Sequence, residues 1–578
     1  MPPSDSVASI RLGEEPLREE PRLEHCIWHD HYDPGVAPSL DYPDVPVGEL
    51  LSRTARELPE ATAILFMGRR MSYRELQADV DSLATAMARL GVEPGQRVAI
   101  HLPTLPQTVI AYYAALTIGA QVVLTNPLYT AREIEHQWED SECVLAVTAD
   151  FLWDRVVRPA RSQLCPKNYI TASIPEYLRF PLNFLAPFKL KRQDPPLYAK
   201  VRPEAGVHSF SDLIARTPAD PPRPKVAMDS LAVLQYTGGT TGVSKGAMLT
   251  HRNLTVNVEQ IQAWFPELER GHEVTLICLP LFHVFGMTVG MNWSVRSGSA
   301  MVLMPNPRDF KLLVSSIAKY RVTVFPGVPA LFNGLNNFPG IEKHDVSSVK
   351  ACFSGSAPIP DDVLGRFEAL TGARIVEGFG MSETSPVATC NPLCGTRKIG
   401  SVGLPVSDTR VKVVDVDEGT RELPFGEEGE LLVHGPQVMG GYWNRPEETA
   451  LTLKDGWLYT GDLATMDADG YVRIVGRKKD MISAAGFKVY PDEVDGVLMA
   501  HPDILESATI GVPDERRGET VKSFIVMMPS KTLTIEEIDA FARLSLAAYK
   551  VPRKIEFLDE LPKSTVMKVL RRELRERS

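Results

Sequence analysis

Ten consecutive residues, TGGTTGVSKG at positions 237–246, combine the flexibility, the hydroxyl groups and the positive charge that suit binding of a polyphosphate. Glycines allow backbone N–H groups to approach an anion closely, and hydroxyl and ammonium groups add further donors. The glycines are Gly238, Gly239, Gly242 and Gly246, the hydroxyl residues are Thr237, Thr240, Thr241 and Ser244, and the cation is Lys245. This density of donors favours a phosphate-binding loop over a glycine-rich hairpin without function.

The segment differs from the common P-loop, in which a Gly-Lys pair is followed by Ser or Thr. Here Lys245 precedes Gly246, and the chain contains no Gly-Lys pair. The sequence therefore predicts a nucleotide site of another class.

The loop resembles the phosphate loop of the adenylate-forming superfamily, which contains acyl-CoA synthetases, luciferases and the adenylation domains of peptide synthetases. The similarity extends from about Leu50 to Arg575, and the other motifs of the superfamily follow in the expected order. The resemblance implies a role for each residue of these motifs.

Two segments resemble those that surround the adenine. SGSAPIP resembles the turn beside the base, and EGFGMSET resembles the Tyr-Gly-x-Thr-Glu segment, with Phe379 in place of Tyr and Ser382 in place of Thr. The residues concerned are Gly355, Ser356, Ala357, Gly378, Phe379, Gly380, Met381 and Ser382. Glu383 ends the second segment as the expected ligand of Mg²⁺, which prefers oxygen ligands, and Thr241 is a second candidate.

The remaining site residues lie closer to the end of the chain. The resemblance implies that Asp462 binds the ribose hydroxyls, that Arg477 lies near ribose and phosphate, and that Lys479 is the hinge. Gly486 is expected to line the tunnel for CoA. Lys568 matches the catalytic lysine, although Met567 stands before it where the superfamily usually has Gly.

Two segments concern the acid. LPLFHVFG resembles the segment that contacts the acyl group and contains His283, which we expect to take part in catalysis. FPGVPALFNGL, with Gly327, Val328 and Leu331, resembles the acyl pocket of long-chain fatty-acyl-CoA synthetases. Each of the chemically important residues, taken singly, would be an ordinary core, surface, turn or tail residue, and only the match of whole segments favours a functional role for it. This applies to His283, Glu383, Asp462, Arg477, Gly486 and Lys568.

The expected activity is that of an ATP-dependent acid–CoA ligase, which converts a medium- to long-chain fatty acid through an acyl-adenylate with release of AMP and pyrophosphate. Ligation of a short-chain or aryl acid and delivery to a carrier protein are alternatives, and assay alone can exclude luciferase-type oxygenation. LPLFHVFG lacks the Asp that pairs with an amino acid in peptide synthetases. A non-catalytic nucleotide-binding protein is disfavoured because Glu383, Asp462, Arg477 and Lys568 are all intact.

Residues 174–192 resemble an insertion found in many long-chain synthetases. The segment mixes Tyr177, Phe180, Phe184 and Phe188 with Lys189, Lys191 and Arg192, a composition that suits peripheral contact with a membrane surface. The prolines at positions 175, 181 and 187 disfavour one continuous helix. A loop packed on the protein body is the alternative.

The elements that must hold these motifs alternate between helical and strand patterns, which predicts an α/β fold. We expect a large N-terminal adenylate-forming domain of several subdomains at residues 1–478 and a small, mobile α+β domain at residues 479–578. The uncharged run Leu102–Ala131 contains three prolines and is interpreted as a buried helix and strand. Residues 195–224 are rich in proline and predict a surface connection.

Length and composition set the remaining limits. The chain has 578 residues, enough for three or four structural units, and its net charge of −11 argues against non-specific binding of nucleic acid. The seven cysteines show no metal-binding spacing, and no secretory signal is visible at the N-terminus. We expect a cytoplasmic protein, with peripheral contact at the inner face of the membrane, and leave its oligomeric state open, a homodimer included.

Overall fold

The computed structural model describes residues 25–237, 244–484, 487–514, 518–564 and 569–578. In these ranges the strands form four sheets, which we call the large, second, third and C-terminal sheets. Helices and strands alternate through most of the N-terminal part, which confirms the predicted α/β character.

The large sheet has a parallel centre and antiparallel edges. Parallel sheets are buried on both faces, so their strands consist mainly of apolar residues, as they do here. In spatial order its strands are Leu404–Pro405, Val387–Cys390, Arg374–Gly380, Ala351–Ser354, Val324–Gly327, Val274–Ile277, Ala300–Leu303, Thr62–Phe66 and Arg69–Ser72.

The second sheet is parallel except for its last pair, an antiparallel hairpin that carries the glycine-rich loop. In spatial order its strands are Val207–Ser209, Asn168–Ala172, Cys143–Ala149, Arg97–His101, Gln121–Leu124, Leu231–Thr237 and Lys245–Thr250.

The two smaller sheets follow in sequence. The third sheet is antiparallel and consists of Arg410–Val414, Gly429–His434, Trp457–Met466, Leu453–Lys454 and Val472–Arg477. The C-terminal sheet consists of Phe487–Val489, Ile482–Ala484, Gly518–Met527, Ile504–Asp514 and Lys554–Phe557. The boundary predicted between residues 478 and 479 lies between these two sheets and stays a prediction.

Helices cover the parallel sheets. The α-helices of the described residues are Leu50–Glu57, Tyr73–Arg89, Pro106–Thr117, Ala131–Asp140, Asp150–Leu152, Arg158–Ala160, Leu182–Leu190, Phe210–Arg216, His251–Trp264, Trp293–Ser297, Phe310–Tyr320, Pro329–Asn336, Asp361–Thr371, Pro446–Thr452, Pro491–Met499, Ile535–Ala542 and Arg571–Glu576. The helix His251–Trp264 begins where the loop-bearing hairpin ends, because the hydroxyl of Thr250 accepts a hydrogen bond from the backbone N–H of Asn253.

The uncharged run at residues 102–131 forms a helix, Pro106–Thr117, that is buried except at its last residue, and the strand Gln121–Leu124, as predicted. Two tyrosine hydroxyls of the helix find a partner inside the protein: the Tyr113 hydroxyl donates to Asn292, and Asn292 donates to Tyr112. No helix in the described ranges is both long enough and apolar enough to cross a bilayer.

One segment differs from the sequence-based expectation. The connection at residues 195–224 contains the strand Val207–Ser209 and the helix Phe210–Arg216, whose first residue is completely buried. Residues 174–192 do not form one continuous helix, as predicted: the 3₁₀ turn Ile174–Tyr177 is followed by the separate helix Leu182–Leu190, which contains Pro187.

A buried ion-pair cluster joins both ends of the C-terminal part. Arg571, in the last helix, donates to Asp492 and, at 2.7 Å, to Asp495 in the helix Pro491–Met499. Asp495 is 4% exposed and also accepts hydrogen bonds from Ser507 and Thr509. The cluster therefore ties together two helices and the strand Ile504–Asp514.

We expect Arg571→Ala to destabilise this part by about 3 kcal/mol, because removing one partner leaves a buried carboxylate uncompensated. Amide hydrogen exchange across the strand Ile504–Asp514 should accelerate by roughly 100-fold at that magnitude. Arg572→Ala is the matched control: its side chain is 70% exposed and pairs with Glu576, so the expected loss is below about 0.5 kcal/mol. Equal exchange in the two variants would contradict a stabilising role for the cluster.

Candidate active site

Four neighbouring parallel strands of the large sheet end at the same edge, and a predicted motif follows each of them. The strands are Val274–Ile277, Val324–Gly327, Ala351–Ser354 and Arg374–Gly380. In open α/β sheets, ligands bind beyond the carboxyl ends of the strands. This topology brings the segments of His283, Val328, Ser356 and Phe379 together, although up to about 100 residues separate them in sequence.

Contacts at this edge are close. A side chain at Gly355 would lie 3.2 Å from the ring of Phe285, two residues after His283, and 3.7 Å from the carbonyl oxygen of Gly378. The two adenine segments and the predicted acyl segment therefore meet at one point. Gly380 has no alternative residue, because a Cβ atom there would lie 2.0 Å from the carbonyl oxygen of Pro386.

The adenine turn is strained at Ser356, whose φ of 70° lies in the left-handed region. Such conformations cost free energy for residues other than glycine and often occur at functional sites. Ser356 and Ala357 are exposed, whereas Phe379 is half-buried. The side chains of the turn are therefore accessible, whereas the aromatic ring is partly covered.

The hairpin of the second sheet that flanks the predicted phosphate loop contacts a segment of this edge. Thr237 and Lys245 lie opposite each other in the hairpin, and Gln235 donates a 3.0 Å hydrogen bond to the carbonyl of Phe282. That contact joins the strand before the loop to the segment of His283. Five of the predicted site residues between Thr237 and Lys245 lie outside the described residues: Gly238, Gly239, Thr240, Thr241 and Gly242.

Glu383 lies in a short 3₁₀ turn and is 6% exposed, so it is not a surface carboxylate. Its side chain accepts a 2.7 Å hydrogen bond from the Tyr442 hydroxyl. Burial raises the pKa of Glu383, while Tyr442 and the positive charge of Arg477 oppose this shift.

Asp462 and Arg477 are cross-strand neighbours in the third sheet. The Arg477 Nε lies 2.9 Å from a carboxylate oxygen of Asp462, whose side chain is 4% exposed. Antiparallel pairing of the two strands thus places the two predicted ribose contacts side by side.

The predicted acyl residues line a packed region. Val328 and Leu331 are 3% and 2% exposed, and a side chain at Gly327 would meet the Phe332 ring at 2.9 Å. His283 accepts a 3.3 Å hydrogen bond from the backbone N–H of Phe285, which holds its imidazole in the turn after the strand Val274–Ile277.

The predicted hinge, Lys479, is exposed and lies between the third and C-terminal sheets. Its neighbour Asp480 forms a 2.7 Å ion pair with Arg575 in the last helix. Gly486 and Lys568, the expected CoA-tunnel glycine and catalytic lysine, lie outside the described residues. Their roles, like those of the other site residues, stay predictions.

The surroundings of Glu383 fit a divalent cation. Within the described ranges, no lysine, arginine or histidine forms an ion pair with this buried carboxylate. Buried charges are normally paired or bind metal ions, and a carboxylate oxygen is a ligand that Mg²⁺ prefers.

Sequence reasoning missed two residues that the structure brings to the site. Tyr442 contacts Glu383, and the centre of the Tyr442 ring lies 5.3 Å from the Lys245 ammonium. Glu377, the first residue of the second adenine segment, accepts a 3.2 Å hydrogen bond from the backbone N–H of Ile359 in the first. The only sequence signal for Tyr442 was a turn-like GGYWNRP run, which does not indicate a partner.

Comparison with known proteins agrees with this geometry. Residues 51–443 match the family described as AMP-binding enzyme, and residues 493–568 match the AMP-binding enzyme C-terminal domain. The chain is 41% identical over 551 residues to a long-chain-fatty-acid–CoA ligase of Bacillus subtilis (strain 168), covering 95% of this chain and 97% of the relative.

Two further similarities are more distant. A 4-coumarate–CoA ligase of Oryza sativa subsp. japonica is 34% identical over 556 residues, covering 93% of each chain. The crystal structure of ATP-bound MatB from Rhodopseudomonas palustris superposes with a TM-score of 0.80 at 30% identity, covering 92% of this chain and 99% of that one.

Glu377 provides a test of how the adenine segments are held together. Burial raises its pKa from 4.5 to about 7. Between these values the folded protein binds a proton that the unfolded chain does not, so the free energy of unfolding should rise as pH falls through this window. Glu377→Gln removes the titration, because an amide does not ionise.

We expect the Tm of the native protein, relative to Glu377→Gln, to increase by about 2–4 °C between pH 7.5 and 5.5, from roughly 2 kcal/mol of linkage. Differential scanning calorimetry measures the difference, with Glu342→Gln at an exposed position as the control. A pH-independent difference would show that Glu377 does not titrate in this window.

Proposed function

Because the chain belongs to the AMP-binding enzyme family and is an acid–thiol ligase, we propose that it joins a medium- to long-chain fatty acid to CoA, with cleavage of ATP to AMP and pyrophosphate. The observation that carries the proposal is the convergence of the predicted adenine and acyl segments at one edge of the large sheet, to which the hydrogen bond from Gln235 to Phe282 joins the hairpin of the predicted phosphate loop. The 41% identical relative, named a long-chain-fatty-acid–CoA ligase, supports the choice of acid.

The chemistry needs positioning rather than a protein nucleophile. A carboxylate is a poor acyl donor, and transfer to AMP supplies a better leaving group. In the proposed first step a carboxylate oxygen attacks the α-phosphorus, the bond from that phosphorus to the bridging oxygen breaks, and pyrophosphate leaves. The protein must hold both reactants in line and stabilise the developing charge.

The described residues suit these tasks. Lys245 and the hydroxyl of Thr237 would bind the phosphates that leave, and Phe379 and the turn at Ser356 would hold the adenine. Glu383 would hold Mg²⁺, with Thr241 as a second ligand, and the ion would offset phosphate charge. Lys568 would donate to the oxygens on which negative charge builds in the transition state.

In the second step the CoA sulfur attacks the acyl carbonyl, the thiol proton is lost, and AMP leaves. We propose that Gly486 lines the path of the pantetheine chain and that rotation about Lys479 exchanges Lys568 for Gly486 at the site. Hinges absorb such motions at a few residues between elements. Lys479 stands between the third and C-terminal sheets, as this role requires.

The substrate assignment predicts a rise in kcat/KM with chain length. Each added methylene that is buried can contribute up to about 0.8 kcal/mol, or roughly fourfold, until the pocket is filled. Thioester and AMP formation should be measured with ATP, CoA and aliphatic acids from acetate to oleate, with benzoate and 4-coumarate as aryl acids. An optimum at acetate or at either aryl acid would exclude a fatty-acid ligase.

We also propose peripheral contact with the inner face of the membrane through residues 179–192. The helix Leu182–Leu190 has no buried residue. Large apolar side chains are exposed at Phe180, Leu182, Phe184, Leu185 and Phe188. Positive charge flanks them at Arg179, Lys189, Lys191 and Arg192, and residues 177–193 contain no acidic residue.

Residues 174–178, the first part of the segment predicted to contact the membrane, pack on the protein body. Tyr177 is 6% exposed and donates a 2.6 Å hydrogen bond to Asp79, so it anchors the segment to the protein body. The expectation that Tyr177 takes part in membrane contact is therefore wrong. The alternative of a segment packed on the body applies to residues 174–178, whereas residues 179–185 are exposed.

Replacing Phe184, Leu185 and Phe188 by serine should weaken binding to anionic vesicles by about 10- to 100-fold, because each apolar side chain contributes on the order of 1 kcal/mol at the interface. Replacing Lys189, Lys191 and Arg192 by glutamine should weaken binding to anionic vesicles only, by about 1 kcal/mol per charge at low salt.

Vesicle sedimentation measures both effects, and turnover of a short soluble acid should be unchanged. Leu544→Ser is the matched control, since Leu544 is 80% exposed elsewhere on the protein. Binding that is equal in all variants would refute the membrane contact.

A further inference from the structure

A short segment, residues 439–443, lies between two parts of the site that are remote from each other in sequence. On one side its backbone pairs with the strand that leaves the glycine-rich loop: Met248 N–H donates to Gly441, and Trp443 N–H donates to Gly246, at 2.9 and 2.8 Å. On the other side Met439 N–H donates to the carbonyl of Glu383 at 2.8 Å. We call residues 439–443 the bridging segment.

Tyr442, in the bridging segment, contacts a predicted site residue on each side. Its hydroxyl donates to Glu383 at 2.7 Å, and its ring centre lies 5.3 Å from the Lys245 ammonium. An ammonium at this distance from an aromatic ring is attracted to its negative face. The carboxylate nearest to Lys245 among the described ion pairs, that of Glu448, is 3.8 Å away and half-exposed.

The ring is itself fixed. Tyr442 N–H donates a 2.9 Å hydrogen bond to the hydroxyl of Thr449 in the helix Pro446–Thr452. The next residue, Trp443, donates from its indole N–H to the carbonyl of Asp140 at 2.9 Å. These bonds hold the backbone at Tyr442 and its neighbour, and the hydroxyl bond to Glu383 holds the far end of the ring, so Tyr442 can act as a spacer between Lys245 and Glu383.

We propose that Tyr442 is a positioning residue that sets the orientation of the Glu383 carboxylate and the location of the Lys245 ammonium relative to each other. The inference rests on the proposed function, in which both groups act on one ATP molecule. The hydroxyl directs one carboxylate oxygen and thereby the approach of the cation. The ring holds the ammonium where it meets the phosphates.

The two contacts can be separated by substitution. Tyr442→Phe removes the hydroxyl and keeps the ring, so it should weaken Mn²⁺ binding in the complex with α,β-methylene-ATP by about 10-fold, the scale for a hydrogen bond to a charged group. Nucleotide affinity without metal should be unchanged. Tyr442→Leu removes the ring as well and should also weaken metal-free nucleotide binding by about threefold.

Mn²⁺ affinity is measured by electron paramagnetic resonance, and pyrophosphate release without CoA gives kcat and KM. Tyr442→Phe should lower kcat by about 10-fold and leave KM for the fatty acid within about twofold, because the acyl segment is not touched. Tyr42→Phe is the matched control: Tyr42 is also half-buried and donates to a carboxylate, Asp408, at 2.7 Å. It should leave every measurement unchanged.

A double-mutant cycle decides the result. If Tyr442 acts through Glu383, the effect of Tyr442→Phe on Mn²⁺ affinity should vanish in a Glu383→Gln background. Loss of Mn²⁺ binding in Glu383→Gln together with native affinity in Tyr442→Phe would overturn this inference alone. Native Mn²⁺ affinity in Glu383→Gln would instead overturn the metal site of the proposed function.

Discussion

Parallel pairing of four strands in the large sheet is the constraint on which the site depends. Parallel strands share a direction, so their carboxyl ends lie along one edge, and the chain must cross over between successive strands. Each crossover returns the backbone to the edge with a new segment. The predicted acyl, adenine and metal-binding segments therefore become neighbours through topology, and the hydrogen bond from Gln235 to Phe282 joins the hairpin of the second sheet to them.

The charged groups at this edge interact strongly because they are buried. Glu383 and Asp462 are both nearly inaccessible, and Arg477 lies close enough to influence both. Inside a protein, interactions between charges are stronger than in water, and each ionised group needs a partner. A triphosphate with its cation supplies charges of the required signs. The polar groups of the site thus match a ligand that is itself highly charged.

Local patterns in the sequence predict much of this architecture. Glycine density marked the loop, apolar runs marked the parallel strands, and the absence of charge at residues 102–131 correctly indicated a buried helix and strand. Tyr442 could not be found in this way, because its function depends on backbone pairing with residues almost 200 positions earlier. Tyr177 was misassigned for a similar reason: its aromatic character was visible, but its partner Asp79 lies 98 positions away. Residue type is a local property, whereas burial is decided by the whole fold.

The separation of motifs onto different strands also has a consequence for evolution. The segment that begins at Val328 follows one strand, the turn at Ser356 follows the next strand of the sheet, and Phe379 lies near the end of the strand beyond it. Changes in the acyl loop can therefore accumulate without moving the nucleotide contacts. Relatives named for acids as different as fatty acids and 4-coumarate fit such a history. In this architecture, selection can change which acid is chosen while the energy-coupling chemistry is inherited intact.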